Sequence, residues 1–487
     1  LSGQTNIKNK VANGTKWTLT STIFITMVQF IQTTVLARIL DPSDFGLMGM
    51  VAVVVGFAMS FADMGISNAI IYRQNTTGEQ LSSLYWLNML SGFTVFAVIW
   101  GLTPLIVAFF HEPKLSNLTF WVAIIFPITS IGQQFQILFQ KDLGFNYLSR
   151  IEMTSALTGA LAAISSAFMG LGVFSLVIGQ LSNASLKSIL LFVFGIKKWP
   201  VKLYFSRKDT QGYIKFGLYQ MGEKGINYLN NNIDNLLIGT FLGTKALGYY
   251  SFAYNLVVIP VSKINPMVTR IAFPVFAKMQ NEIDRLKIWY FKVVEVLCFV
   301  NTPILLGLAA TAPVVIPFIF GEKWIPSVLI IQILSGVGLL RSISNPVGSL
   351  ILAKGRADLS FKWNAIFMVI QIPGIFIGLK LYGVLGVAIS YIFLLLINLS
   401  INYFKLIRAI LGKCSRDYLS KILPTLSIGG FMAILVGVIG MKISTPLTVL
   451  LIIIQVVSGA IIYFSLSFIF KKDIFVSVRK LFFKKEA

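Results

Sequence analysis

Histidine, cysteine and charge are all scarce in this sequence of 487 residues, and each shortage removes a class of chemistry. His111 is the only histidine, which nearly excludes a His-based metal site or a Ser-His-Asp triad. The two cysteines, Cys298 in an apolar run and Cys414 among basic residues, form no pair that an oxidising compartment would close. Neither a phosphate-cradling Gly-rich loop nor metal-spaced Cys and His residues are found. Charged residues make up 12% of the chain, against about 25% in soluble domains. What fills the space is apolar: 56% hydrophobic residues and a mean hydropathy of +0.80. That composition belongs to an all-α polytopic membrane protein.

A spanning helix needs about 20 mostly apolar residues. Runs of that kind lie near 17–39, 45–71, 84–109, 117–139, 153–169, 173–195 and 213–242. Seven more follow near 247–275, 289–320, 326–352, 361–379, 384–406, 422–441 and 446–470, which predicts fourteen spans. The first carries no small-residue cleavage site and reads as a retained helix rather than a signal peptide. No soluble domain is expected, and the longest connection, between spans 6 and 7, is put at about 17 residues from the helix-length rule.

The net charge of +23 is a topology signal rather than a nucleic-acid footprint. With the N-terminus inside, 31 Lys and Arg residues fall on the cytoplasmic side and only Arg38, Lys114, Lys245, Lys323, Lys380 and Lys442 outside. The N-in, C-in arrangement follows. The tail "SVRKLFFKKEA" is suited to lie on anionic membrane lipids.

The sequence repeats itself at an offset of 202. "ARILDPSDFGLMGM" at 37–50 aligns with "GTFLGTKALGYYSF" at 239–252, matching Leu40 with Leu242, Gly46 with Gly248 and, further back, Trp17 with Tyr219. "PLIVAFFHEPKL" from Pro104 resembles "PVVIPFIFGEKW" from Pro313, and "GLGVFSLV" from Gly170 resembles "YGVLGVAIS" from Tyr382. Three matches in one order imply two pseudo-symmetric six-helix lobes, with two helices appended. The expected divisions are 1–212 for the first lobe and its basic linker, 213–410 for the second, and 411–487 for spans 13 and 14 with the tail.

"LARILDPSDFGLMGM", "FADMGISNAII", "NIDNLLIGTFLGTKALGYYSFAYNL" and "RIAFPVFAKMQ" resemble the signature stretches of bacterial polysaccharide flippases of the Wzx type. The likeness is closest to the colanic-acid and teichuronic-acid exporter branch of the multidrug/oligosaccharidyl-lipid/polysaccharide exporter superfamily. It implies two lobes around a V-shaped cleft, alternating access and residence in the bacterial cytoplasmic (inner) membrane. The implied cargo is an undecaprenyl-pyrophosphate-linked oligosaccharide, and the implied partners are a polysaccharide polymerase and chain-length proteins. Basic residues are common in that branch where this chain has Asn231, Thr240 and Phe252, so no headgroup role is carried over to those three.

Polar side chains inside spans are costly and therefore mark function. In span 7, Gln220, Glu223, Lys224, Asn227, Asn230, Asn231 and Asp234 fall within about 120° of arc. Span 1 answers with Thr18, Ser21, Thr22, Gln29, Gln32 and Thr33, so the two stripes read as walls of a hydrated cleft. In span 2, Ser60, Asp63 and Ser67 map at the same offset onto Ser262, Asn265 and Thr269. The intramembrane cations Lys187, Lys224, Lys263 and Arg341 are the pyrophosphate candidates, Lys224 foremost because its stripe is the most polar. Asp63, Glu223 and Asp234 are the candidates for binding a coupling H+ or Na+, with the membrane potential as the alternative driver. No other cofactor is expected. The alternative within transporters is a multidrug cation antiporter, which wants an acidic, aromatic cavity rather than this mixture of charges. A membrane glycosyltransferase or polymerase would need acids on a large outer loop, and the outer acids are only Asp41, Asp44, Glu112 and Glu322.

Overall fold

The computed structural model describes residues 2–62, 70, 76–442, 447–472 and 474; the side chains of 2–12, 208–209, 211–220, 223, 357–358, 360–361 and 364 lie outside that description. Among the described residues every regular element is helical. A chain surrounded by hydrocarbon must satisfy its own backbone hydrogen bonds, and a helix does so within one segment. The first half contains α1 (Ser2–Ile39), α2 (Pro42–Ala62), α3 (Gly78–Phe110), α4 (Leu115–Ala123), α5 (Ile125–Lys141), α6 (Phe145–Phe168) and α7 (Phe174–Lys198). Then come α8 (Arg207–Lys278), α9 (Ile283–Phe320), α10 (Pro326–Ser344), α11 (Pro346–Ala353) and α12 (Ala357–Ile401). A π-helical turn, Asn402–Ile407, continues α12, and α13 (Ser415–Lys442) and α14 (Thr448–Phe470) follow.

Local chemistry sets the ends. Thr77 and Gln80 form a reciprocal capping box at the start of α3. Pro326 and Pro346 stand at the first positions of α10 and α11, where a missing N–H costs nothing. The lone histidine, His111, closes α3 in the left-handed conformation, with φ 55°.

Twelve helical stretches among the described residues are long and apolar enough to cross a membrane. Two of them, Lys224–Lys278 and Ala365–Leu411, run 55 and 47 residues. Each contains a break in helical geometry, at Gly243 (φ 79°) in one and at Tyr382 and Gly383 (φ 58°) in the other. Helix ends overrun the apolar runs that revealed them, because hydrogen bonding along the axis does not stop at the first polar residue. The connection between spans 6 and 7 is therefore only 199–206, shorter than the sequence suggested.

The chain forms two compact units, Leu1–Gly248 and Tyr249–Ala487. In the first, Leu84, Phe135, Leu138 and Leu191 centre one core cluster, and Leu36, Leu40, Ala163 and Ala167 another. Helices α6 and α7 meet at Gly159, whose absent Cβ would stand 2.8 Å from the Gly179 carbonyl oxygen. The segment 224–242 packs within this unit: Tyr228 donates to the Ala52 carbonyl oxygen at 2.8 Å, and Gly239 faces Met50 and Phe110. In the second unit α9 runs through the core, with Tyr290, Val294, Leu297 and Cys298 fully buried.

The two copies of the repeated hinge touch each other. A Cβ on Gly46 would stand 1.7 Å from the Thr244 carbonyl oxygen, and one on Gly248 would stand 1.8 Å from the Pro42 carbonyl oxygen. Each repeat thus supplies the glycine that admits the other's backbone.

Candidate functional site

Within the first unit the residues of the span 7 polar stripe differ in burial. Asp234 is fully buried, and its carboxylate accepts the backbone N–H of Asn235 at 2.9 Å. Asn235, also buried, donates to Asn232 at 3.4 Å, and Asn232 donates to the Tyr228 carbonyl oxygen at 2.9 Å. The Asn235 side-chain oxygen is buried without a hydrogen-bond partner among the described residues. On the same stripe Lys224 and Asn231 are exposed and Asn227 and Asn230 half-buried, with Asn231 donating to the Asn227 carbonyl oxygen at 2.8 Å.

The stripe on α1 is partly self-satisfied. On α1 the hydroxyls of Thr18, Thr22 and Thr26 each donate to the carbonyl four residues back. Gln29 is exposed and Gln32 half-buried on the same helix. Lys187 of α7 sits 3.6 Å from Glu152 of α6, a pair with about a third of each side chain open. Asp63 and the side chains of Gln220 and Glu223 lie outside the described residues.

The second unit holds the better organised polar cluster. One guanidinium nitrogen of Arg341, on α10, donates to the Tyr254 hydroxyl at 2.7 Å, and the other donates to the Tyr391 hydroxyl. Both tyrosine rings also lie against the guanidinium carbon, 5.5 and 5.1 Å from their centroids. Gln371, buried, donates to the same Tyr391 oxygen at 3.4 Å. Three segments, 249–278, α10 and α12, therefore fix one cation in direction. At 1.5 Å per residue Arg341 stands about 22 Å along the chain from Pro326 and about 20 Å from Lys354, near the middle of the helical stretch Pro326–Ala353. Asn265 is buried and accepts from Asn301 at 3.1 Å, while Lys263, two residues away, is exposed.

A second charged cluster ties α13 and α14 to α9. Glu295, nearly buried, meets Lys471 at 2.6 Å and Lys421 at 3.4 Å, and Lys471 also donates to the Lys421 carbonyl oxygen at 3.3 Å. Glu295→Gln should leave the Lys471 ammonium without its buried counter-charge. The expected loss is about 2 to 3 kcal/mol, below the full cost of a broken buried pair because Lys421 is half in solvent. A lower thermal midpoint in detergent checks it; an unchanged midpoint would mean the pair is only decorative. Outside the spans, burial pushes the Cys414 thiol up, which keeps it out of thiolate chemistry. Among the described residues no three His, Cys, Asp or Glu side chains converge as a metal site.

A family model described as polysaccharide biosynthesis protein matches residues 35–329. The chain is 36% identical over 428 residues to the lipopolysaccharide biosynthesis protein WzxC of Escherichia coli (strain K12), covering 86% of this chain and 87% of that one. The chain belongs to the polysaccharide biosynthesis protein family. A second member, the teichuronic acid biosynthesis protein TuaB of Bacillus subtilis (strain 168), is 36% identical over 433 residues, 89% of this chain and 90% of its own. Among solved structures, the lipid II flippase MurJ in an inward closed conformation shares the fold with a TM-score of 0.75. That match covers 94% of this chain and 99% of MurJ at 15% identity. An inward-facing multidrug resistance MATE transporter shares it with a TM-score of 0.64 at 14% identity, over 80% of this chain and 96% of that one.

The Wzx-type resemblance of the hinge motifs and these near full-length matches agree, and the family member described here is a multi-pass membrane protein. Sequence reasoning found Arg341 but missed Tyr254, Tyr391 and Gln371, which hold it. It also passed over Glu152 and Glu295. A carboxylate inside an apolar run was the available signal for Glu295. The tyrosines carried none, since a Tyr in a span reads equally as packing or as an interfacial anchor.

Proposed function

We propose that this protein is a flippase that carries a lipid-linked oligosaccharide from the inner to the outer leaflet of the bacterial cytoplasmic membrane, and not a catalytic enzyme. The observation that carries the reading is Arg341. A permanently charged guanidinium near the middle of its helical stretch, oriented by two phenol hydroxyls, suits a diphosphate that has left water. The cargo is an undecaprenyl-pyrophosphate-linked oligosaccharide, with the sugar in a hydrated cleft and the lipid tail in the bilayer. On the outer side it passes to a polysaccharide polymerase and its chain-length proteins.

The reading includes fourteen spans, both termini inside, and alternating access of lobes 1–212 and 213–410 with 411–487 appended. Helices of 55 and 47 residues would extend about 82 and 70 Å, against a hydrocarbon core of about 30 Å. Counting each as two spans, divided at Gly243 and at Tyr382–Gly383, supports the fourteen. Lys187, Lys224 and Lys263 are further contacts for the pyrophosphate, and Gln29, Gln32, Asn227, Asn230, Asn231 and Asn265 line the sugar's route. Asp63, Glu223 and Asp234 are the sites at which H+ or Na+ would couple. The outward passage of an anion is already favoured by about 2.3 kcal/mol per charge per 100 mV, so coupling resets the empty carrier rather than driving the loaded one.

Deleting the gene in its native polymer cluster should leave lipid-linked repeat units on the cytoplasmic leaflet and stop surface polymer. Normal polymer in a deletion strain with no second flippase would overturn the proposal.

A further inference from the structure

A cavity of about 760 Å³ lies at one end of the first unit, next to the start of the α1 polar stripe. It is bounded by the start of α1, the turn between α5 and α6, and the end of α7. Its volume falls within the range of about 300–1,000 Å³ typical of small-ligand sites.

One part of the lining is aromatic. Phe139 and Tyr147 stack with centroids 5.9 Å apart and planes 27° apart, which leaves no slot between them and the half-exposed Tyr147 as the ring open to a ligand. Trp17 adds an indole whose ring carries the Arg150 guanidinium 5.0 Å from its centroid. The rest of the lining joins the apolar Leu143 and Phe194 to polar groups of both signs. Asp142 and Lys198 face each other at 2.5 Å across the rim, and Asn13 and Asn146 complete it. Neither amide makes a side-chain hydrogen bond to the described protein, so each keeps both a donor and an acceptor available.

Aromatic faces together with planar groups that donate and accept suit a pyranose. Its axial C–H groups pack on a ring's negative face, while every hydroxyl both donates and accepts. A nucleobase would want a slot between two rings, which the stacked Phe139 and Tyr147 close. An anionic headgroup would want cations alone, whereas Asp142 places a carboxylate at the mouth.

We infer that this cavity binds a sugar ring, and, resting on the flippase reading, that it receives the cargo's oligosaccharide on the face where the basic loops lie. It is a further station for the sugar, where the α1 stripe begins.

The test uses the full chain purified in detergent and a panel of free sugars at millimolar concentration: glucose, galactose, N-acetylglucosamine and glucuronate. Binding is read by saturation-transfer NMR. At least one sugar should bind saturably. Asn146→Ala and Tyr147→Ala should each weaken it by about tenfold, the loss of one good hydrogen bond or contact. Tyr147 is half exposed, so its variant does not put folding at risk. Failure of every sugar to saturate, or binding unchanged in both variants, would overturn the inference. Displacement of the sugar by phosphatidylglycerol in mixed micelles would overturn it too, by making the cavity a lipid seat. Because the assay needs no transport, its failure leaves the deletion phenotype untouched, and a normal deletion strain leaves sugar binding measurable.

Discussion

Replacing Gly46 by alanine is expected to reduce surface polymer to the level of the deletion strain while the protein still inserts into the membrane. The new Cβ would stand 1.7 Å from the Thr244 carbonyl oxygen, about half of a normal contact distance. No rotamer relieves the overlap, because the opposing atom is backbone. The two hinge turns must therefore separate, and overpacking of this kind typically costs about 1–3 kcal/mol even where side chains can shift. Gly248→Ala meets the Pro42 carbonyl oxygen at 1.8 Å and should behave the same way. Gly101→Ala is the control, since nothing lies within 4 Å of its Cβ position. Complementation of the deletion strain, normalised to membrane-inserted protein by immunoblot, measures all three. Full activity of both hinge variants would mean that the turns need not pack this closely for export.

That contact also marks how far the sequence could be read. The alignment of 37–50 with 239–252 pairs Gly46 with Gly248, yet nothing in a repeat says that paired residues touch. The apolar runs disclosed helices because composition and length are local properties. The breaks within the two longest helices, at Gly243 and Tyr382–Gly383, fall in the gaps left between the apolar runs 213–242 and 247–275 and between 361–379 and 384–406. Periodicity put Asp234 on the polar stripe, and Asp234 is fully buried, because phase locates a face but not what covers it. Partnerships over long separations were beyond reach altogether. Arg341 meets Tyr254 and Tyr391 across 87 and 50 residues, and Glu295 meets Lys471 across 176. Such pairs are made by the packing of helices and carry no local pattern.

Arg341→Gln should lower export of the lipid-linked oligosaccharide by tenfold or more. Hydrogen bonds between a guanidinium and an anionic oxygen are worth about 1.5–3 kcal/mol, or roughly tenfold to a hundredfold in rate or affinity. Gln keeps a donor for one tyrosine and removes the charge. Arg341→Lys separates charge from geometry, because an ammonium cannot reach both hydroxyls in the fixed fork that the guanidinium provides. It should retain part of the activity, between wild type and Gln. Tyr254→Phe combined with Tyr391→Phe keeps the cation but releases its orientation and leaves the Gln371 amide without the Tyr391 oxygen. That variant should resemble Lys more than Gln. Transfer of lipid-linked oligosaccharide between leaflets of proteoliposomes, at matched protein incorporation, ranks the three. If Gln at position 341 transports as well as wild type, the pyrophosphate is held elsewhere, and Lys224, Lys187 and Lys263 become the groups to neutralise next.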